Sequence, residues 1–161
     1  MTQISRRRET LSNEIDGDLL IVGGGVAAMS AGMEAAKLGL KVVVADKGRV
    51  GFSGSSPTSG GNPQFPFPEE QGGAPGDGPE VLARDIASGG YGLSDPAALH
   101  IFVSEGLRVL TEHAACGVPY LRDAAGGYRT YATLGMSYPR VGDVKHDGAG
   151  LTLSLRKELL H

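Results

Sequence analysis

Leu19-Leu20-Ile21-Val22-Gly23-Gly24-Gly25-Val26-Ala27-Ala28, spaced onward through Gly32, Ala35, Gly39, Val42 and Val44 to Asp46, is the stretch that decides the fold. It has the frame of a strand, a tight turn, a slim helix, a second strand and a terminal acid. Gly23 permits the strand-to-helix turn, Gly25 lets backbone come close to a pyrophosphate, and Ala28 lets the helix pack near the strand. A helix starting there turns free N–H groups and the positive end of its dipole toward phosphates. Ala31, Gly32, Ala35 and Ala36 keep the helix slim, Gly39 ends it, and Lys41 to Ala45 is expected as a second buried parallel strand. Asp46, 21 residues past Gly25, is placed to accept hydrogen bonds from ribose hydroxyls and to repel a 2′-phosphate. The whole reads as a dinucleotide-binding βαβ unit.

The 161 residues allow one domain with a core, and 40% apolar content makes it globular. Its 26 glycines, more than twice the usual share, call for many tight turns. A net charge of −3 without a long basic stretch gives no footprint for nucleic acid. Arg6-Arg7-Arg8 is followed by polar residues and so opens no export signal, and no run approaches a membrane span. The single Cys116 is expected as a buried structural thiol, and the default setting is cytoplasmic and reducing. His100 and His113 have no second ligand at metal spacing, so no metal site is expected.

Outward from the βαβ unit, residues 1–16 read as a disordered lead-in and 17–161 as the domain. Residues 51–62 cannot form a standard helix or strand, and Pro63 to Pro79 is a proline-rich surface loop that Phe65 and Phe67 can anchor. A short helix starts at Pro79 with Val81, Leu82 and Ile86 inward. A longer one is capped by Asp95, carries Leu99, Phe102, Val103, Leu107 and Leu110 on its apolar face, and stops at Gly117. Gly126-Gly127 marks a hairpin turn between Tyr120–Arg122 and Tyr128–Tyr131. Leu151, Leu155 and Leu159 mark a last helix with no stop signal before His161, the pattern of a truncated chain. A doubly wound sheet also needs more strands than the two evident here.

A second cluster, Ser53-Gly54-Ser55-Ser56-Pro57-Thr58-Ser59-Gly60-Gly61, offers hydroxyl and backbone donors together with glycines that let a flat ring approach. NAD enzymes do not need such a loop directly after the acid. With the frame ending in Asp46-Lys47, Gly89 to Asp95 before a helix, and Gly117-Val118-Pro119-Tyr120, the chain resembles the flavoprotein subunits of succinate dehydrogenase and fumarate reductase. That family also contains L-aspartate oxidase and the adenylylsulfate reductase flavoprotein.

The resemblance covers about residues 17 to 160 and implies a Rossmann-like α/β FAD-binding domain with a parallel sheet, cut off before a capping domain. By it, Gly23, Gly24, Gly25, Val26 and Ala27 hold the FAD pyrophosphate beside Ala28. Asp46, followed by Lys47, holds the adenosine ribose. Ser53, Gly54, Ser55, Ser56, Ser59, Gly60 and Gly61 hold phosphate and isoalloxazine. Membrane-bound members carry a flavin-linked histidine where this chain has Gly54, so non-covalent FAD is implied.

Tyr120 matches a position on the dicarboxylate pocket wall and Gly60 lies near the substrate; a packing role for Tyr120 stands as the alternative. Arg140 either attracts an acidic substrate or is structural, and His146-Asp147-Gly148 departs from the family's usual Thr-Gly. The implied activity is hydride transfer between flavin and a small dicarboxylate such as fumarate or succinate, or a related acid. An iron–sulfur subunit, and through it peripheral contact with the inner membrane, is implied as a partner. The family's catalytic arginine lies beyond residue 161, so no catalytic residue is assigned. An NAD-linked dehydrogenase domain and a non-catalytic flavin-binding fragment remain as rival readings.

Overall fold

The computed structural model describes residues 14–160; the Arg6–Arg8 run, most of the expected lead-in and His161 lie outside them. Strand β1 (Leu19–Val22) leads through Gly23-Gly24-Gly25 into helix α1 (Val26–Lys37) and strand β2 (Val42–Ala45). The strands pair in parallel, Leu19 with Val42 through Val22 with Ala45, which is the expected βαβ unit. Gly23 has φ +112°, a left-handed conformation that glycine adopts without strain. At the other end of α1, Gly39 (φ +82°) donates to the Ala36 carbonyl and Leu40 to the Ala35 carbonyl, so two orphan acceptors are satisfied in a Schellman arrangement.

The expected burial of both strands needs correction. β2 is half-buried and β1 is largely exposed, with Leu20 62% and Val22 82% accessible. Among the described residues α1 covers one face of the pair, and a parallel sheet is fully buried only when both faces are covered. Gly32 and Ala35 are the small residues that let α1 settle; Ala31 and Ala36 point outward. A methyl group on Gly32 would come within 2.9 Å of Leu159 Cδ1 and 3.6 Å of Ile21 Cδ1, so this glycine admits both the sheet and the last helix.

Beyond β2 the chain makes a 3₁₀ turn at Ser56–Thr58 and a second at Glu69–Gln71 inside the proline-rich loop. Phe65 and Phe67 are buried and anchor that loop as expected. Helix α2 (Pro79–Gly89) buries Leu82, and helix α3 (Pro96–Ala115) begins where the Asp95 carboxylate accepts from Ala97 and Ala98 N–H, a cap worth about 1 kcal/mol. The inward face of α3 is Val103, Gly106 and Leu110. Phe102 and Leu107, expected inside, are more than 40% exposed. A methyl group on Gly106 would overlap the Phe65 ring, so the face turns toward the residue that lets Phe65 in. Cys116, at the end of α3, is half-buried where full burial was expected.

The hairpin forms around Asp123, whose carboxylate accepts from Ala125 and Gly127 N–H, with Arg122 bridged to Tyr128. Strands β3 (Thr130–Tyr131) and β4 (Val141–Gly142) pair antiparallel, and helix α4 (Asp147–Leu159) follows. Two cores result: Met29, Val118, Val144 and Leu155 between α1 and α4, and Phe65, Phe67, Leu110 and Tyr128 beneath α3. Tyr120 packs against both.

One polar element lies wholly inside. Arg140 is fully buried; Nε reaches both Asp77 carboxylate oxygens at 2.7 and 2.9 Å, and Nη2 and Nη1 reach Asp77 and Asp85. Asp85 also accepts from Ser137 N–H at 2.8 Å and from its hydroxyl at 2.6 Å. Burial pushes the Asp85 carboxyl up, but the bonds from Ser137 and Arg140 outweigh it and hold it down to about 2. The cluster ties the proline-rich loop to α2 and to the approach of β4, so Arg140 is structural.

Candidate functional site

The turn after β1 is the base of the site. Gly25 caps α1 and has no side chain to offer, so the hydroxyl of Ser56, thirty residues on, accepts from Val26 N–H at 3.3 Å. A serine oxygen therefore stands where a phosphate oxygen would be attracted by the helix terminus. Gly24 is buried, and a methyl group there would meet Val50 Cα at 2.8 Å and Asp46 Oδ2 at 3.0 Å. Ala27 is exposed at the mouth of the turn and Ala28 is half-buried beside it.

Asp46 follows β2. Its Oδ1 accepts from Gly48 N–H at 2.7 Å and from Ser53 Oγ at 2.9 Å. The Gly48 bond, then the Ser53 bond, lower the Asp46 pKa, keeping it an anion that accepts hydrogen bonds. Lys47 next to it is exposed. Asp46 and Ser56 bring the strand end, the helix terminus and the serine-rich segment into one site.

Along that segment Gly54 (φ +87°) has open space around it, while Ser55 starts the 3₁₀ turn and accepts from Thr58. The Ser59 hydroxyl donates to the Ser56 carbonyl at 2.8 Å, and the Ser59 carbonyl accepts from Gly148 N–H at 2.8 Å. Gly61 (φ +65°) lies against the first turn of α4, where a methyl group would meet Gly148 N at 2.6 Å. The small size of Gly61 is thus used by the chain's own helix. Gly148, which keeps the glycine of the family's Thr-Gly while Asp147 before it departs, is the partner in this contact.

On the far side of Gly60 and Gly61 opens a cavity of about 470 Å³ that Asn62, His113, Tyr120 and Tyr131 also line. The Tyr120 hydroxyl is 3.5 Å from His113 Nδ1. Burial pushes the Tyr120 phenol up, with Tyr128 adding to it, and burial lowers the His113 pKa against the opposing pull of Glu112. Asn62 donates to the Tyr131 hydroxyl and leaves its buried Oδ1 without a partner. Asn62, His113 and Tyr131 were not anticipated as a group, because 69 residues separate Asn62 from Tyr131 and no spacing rule links them. Among the described residues no helix is long and apolar enough to cross a membrane, and no three His, Cys, Asp or Glu are grouped to hold a metal.

FAD fits this site by the chemistry of its donors. The glycine turn leaves room for backbone approach, the α1 terminus offers N–H groups suited to a phosphate, and the Asp46 anion lies beside the turn where a ribose would lie. Comparison with known proteins agrees. The chain is 29% identical over 140 residues to L-aspartate oxidase of Streptomyces coelicolor, which covers 87% of this chain and 23% of that protein. The fold superposes on Sdh1 of Mycobacterium smegmatis with a TM-score of 0.81 (22% identity; 88% of this chain, 23% of that one). It superposes on the E. coli quinol fumarate reductase subunit FrdA with a TM-score of 0.80 (22% identity; 91% and 24%). The chain thus spans about a quarter of the length of these relatives, matching their N-terminal FAD-binding part. The family model for the FAD binding domain matches residues 18–158, and the chain belongs to that family of flavoproteins.

Proposed function

We propose that this chain is the FAD-holding part of an oxidoreductase that exchanges hydride between flavin and a small dicarboxylate or related acid. One observation carries the reading: Asp46, Ser53 and Ser56 converge on the α1 terminus through the Ser53–Asp46 bond and the Val26–Ser56 bond. A glycine turn that bound nothing would have no need of this convergence. Its resemblance to succinate dehydrogenase, fumarate reductase and L-aspartate oxidase supports the acid substrate and an iron–sulfur partner subunit.

When bound, FAD supplies the hydride-exchanging ring. Residues Gly23 to Ala28 would hold the pyrophosphate, the Val26 N–H that now donates to Ser56 Oγ being among the donors open to it. Asp46 would hold the adenosine ribose through its second oxygen, with the exposed Lys47 beside it. Ser53 to Gly61 would form the wall for the flavin ring, and Gly60 and Tyr120 would lie on the substrate side. Gly54 has no nucleophile to offer the flavin, so attachment is non-covalent. The work of these residues is orientation: they hold the reacting centres face to face.

Purified protein tests this directly. Oxidised-flavin absorbance that travels with the native chain, and is released into solution on denaturation, supports both the cofactor role and its non-covalent attachment. A colourless protein that takes up NAD instead supports the dehydrogenase reading. Flavin that stays with the denatured chain overturns the non-covalent attachment.

A further inference from the structure

The stretch from Gly51 to Gly61 meets helix α4 at both of its ends. Gly51 lies against the later half of the helix, where a methyl group would meet Arg156 Cδ at 3.0 Å and the Thr152 carbonyl oxygen at 3.4 Å. Its N–H donates to the Gly24 carbonyl at 2.9 Å, inside the glycine turn. At the other end Gly148, in the first turn of α4, donates its N–H to the Ser59 carbonyl. A methyl group on Gly148 would overlap the Ser56 carbonyl oxygen and come within 2.7 Å of the Ser59 carbonyl oxygen. At Gly148 the helix backbone therefore touches the serine segment directly.

Hydrogen bonds carry that contact across the segment to α1. Ser59 Oγ accepts from Gly61 N–H at 3.2 Å and donates to the Ser56 carbonyl, while Ser56 Oγ accepts from Val26 N–H. Between these bonds the segment has only the 3₁₀ turn at Ser56–Thr58, so no strand or α-helical ladder fixes its place. The turn that delivers Gly148 is itself held in a costly shape. His146 and Asp147 have φ +67° and +51°, a left-handed backbone that residues with side chains keep only where their surroundings enforce it. Here Lys145 N–H donates to the Pro119 carbonyl at 2.9 Å, Asp147 N–H donates to the Val144 carbonyl at 3.1 Å, and Val144 is buried in the core.

We infer that Gly148 is a positioning residue for the cofactor site: by backbone contact it places Ser56 and Ser59, and through Ser56 it places the N-terminal donors of α1. This rests on the reading that the α1 terminus and the serine segment hold FAD. Gly150, two residues further along α4, supplies the comparison. It is as crowded as Gly148, but a methyl group there would overlap the Lys145 carbonyl oxygen, in the loop before the helix, and not the serine segment.

The test follows the Val26 amide signal in the ¹⁵N-labelled, FAD-free chain, and then FAD affinity, in Gly148→Ala and Gly150→Ala. Both substitutions should lower the melting temperature. Only Gly148→Ala is expected to move the Val26 signal, and it should weaken FAD binding about tenfold more than Gly150→Ala, the worth of one or two hydrogen bonds. Ser56→Ala reads the same coupling from the opposite end without adding an atom, and so serves if Gly148→Ala does not fold. In it, hydrogen exchange at the Gly148 amide should quicken by about threefold or more, because coupling between two sites is reciprocal. A Val26 signal unmoved in Gly148→Ala, an equal loss of FAD affinity in the two glycine variants, or Gly148 exchange unchanged by Ser56→Ala overturns the inference. If the amide signals change as expected while the native chain binds no FAD, the cofactor reading fails and the placing of the α1 terminus by Gly148 stands.

Discussion

Ser53 Oγ donates to Asp46 Oδ1 at 2.9 Å, joining the acid that ends the βαβ unit to the first serine of the segment that follows it. Gly48 N–H uses the same oxygen, so Oδ2 remains for a ribose. Asp46→Ala should weaken FAD binding about ten- to a hundredfold, as expected for hydrogen bonds to a charged acceptor. Ser53→Ala, which only loosens the carboxylate, should cost about tenfold or less. Fluorescence quenching of FAD titrated with each variant reads both values. Equal affinities across the three proteins would show that Asp46 does not touch the cofactor.

Arg140 offers a test of the scaffold. Arg140→Met leaves Asp77 and Asp85 buried without their cation, a change that destabilises by about 3–5 kcal/mol. Thermal melts should show a clear fall in midpoint, and adding Asp77→Asn and Asp85→Asn to the same chain should recover part of it, because the stranded charges are gone. A melting temperature indifferent to Arg140→Met would mean that the cluster does not hold the loop.

Acid should loosen the same cluster. Asp85 titrates at about 2 in the folded chain against an ordinary 3.8, so its ion pair contributes stability above 3.8 that is lost as pH falls toward 2. Urea midpoints measured through that window should drop faster for the native sequence than for Asp85→Asn. Parallel curves would contradict the assignment.

Local signals made the βαβ unit legible. Gly23, Gly39 and Asp46 each act within a few residues of themselves, and Asp95 and Pro96 mark the start of α3 in the same local way. What stayed hidden depends on distant partners. The exposed face of β1 follows from which elements cover the sheet, and helical spacing alone put Phe102 inside, whereas Phe65 meets α3 at Gly106 and leaves Phe102 partly exposed. Arg140 showed as a lone arginine beside a proline, because its partners Asp77 and Asp85 lie 63 and 55 residues away. Gly61 was legible as a close-approach glycine, but the approaching backbone is that of Gly148 on α4.

The N-terminus of α1 decides the central claim. A side chain at Gly25 would point at Ser56 Oγ, 3.0 Å from the new Cβ, and would fill the space that a pyrophosphate needs. Titrating the cofactor-free chain with FAD, and repeating the titration on Gly25→Val with its fold verified by circular dichroism, measures that directly. The account predicts one FAD per chain, little competition from NAD, and an affinity loss of about a hundredfold or more in the variant. FAD binding that is undiminished in Gly25→Val, or a native chain that prefers NAD, would contradict it.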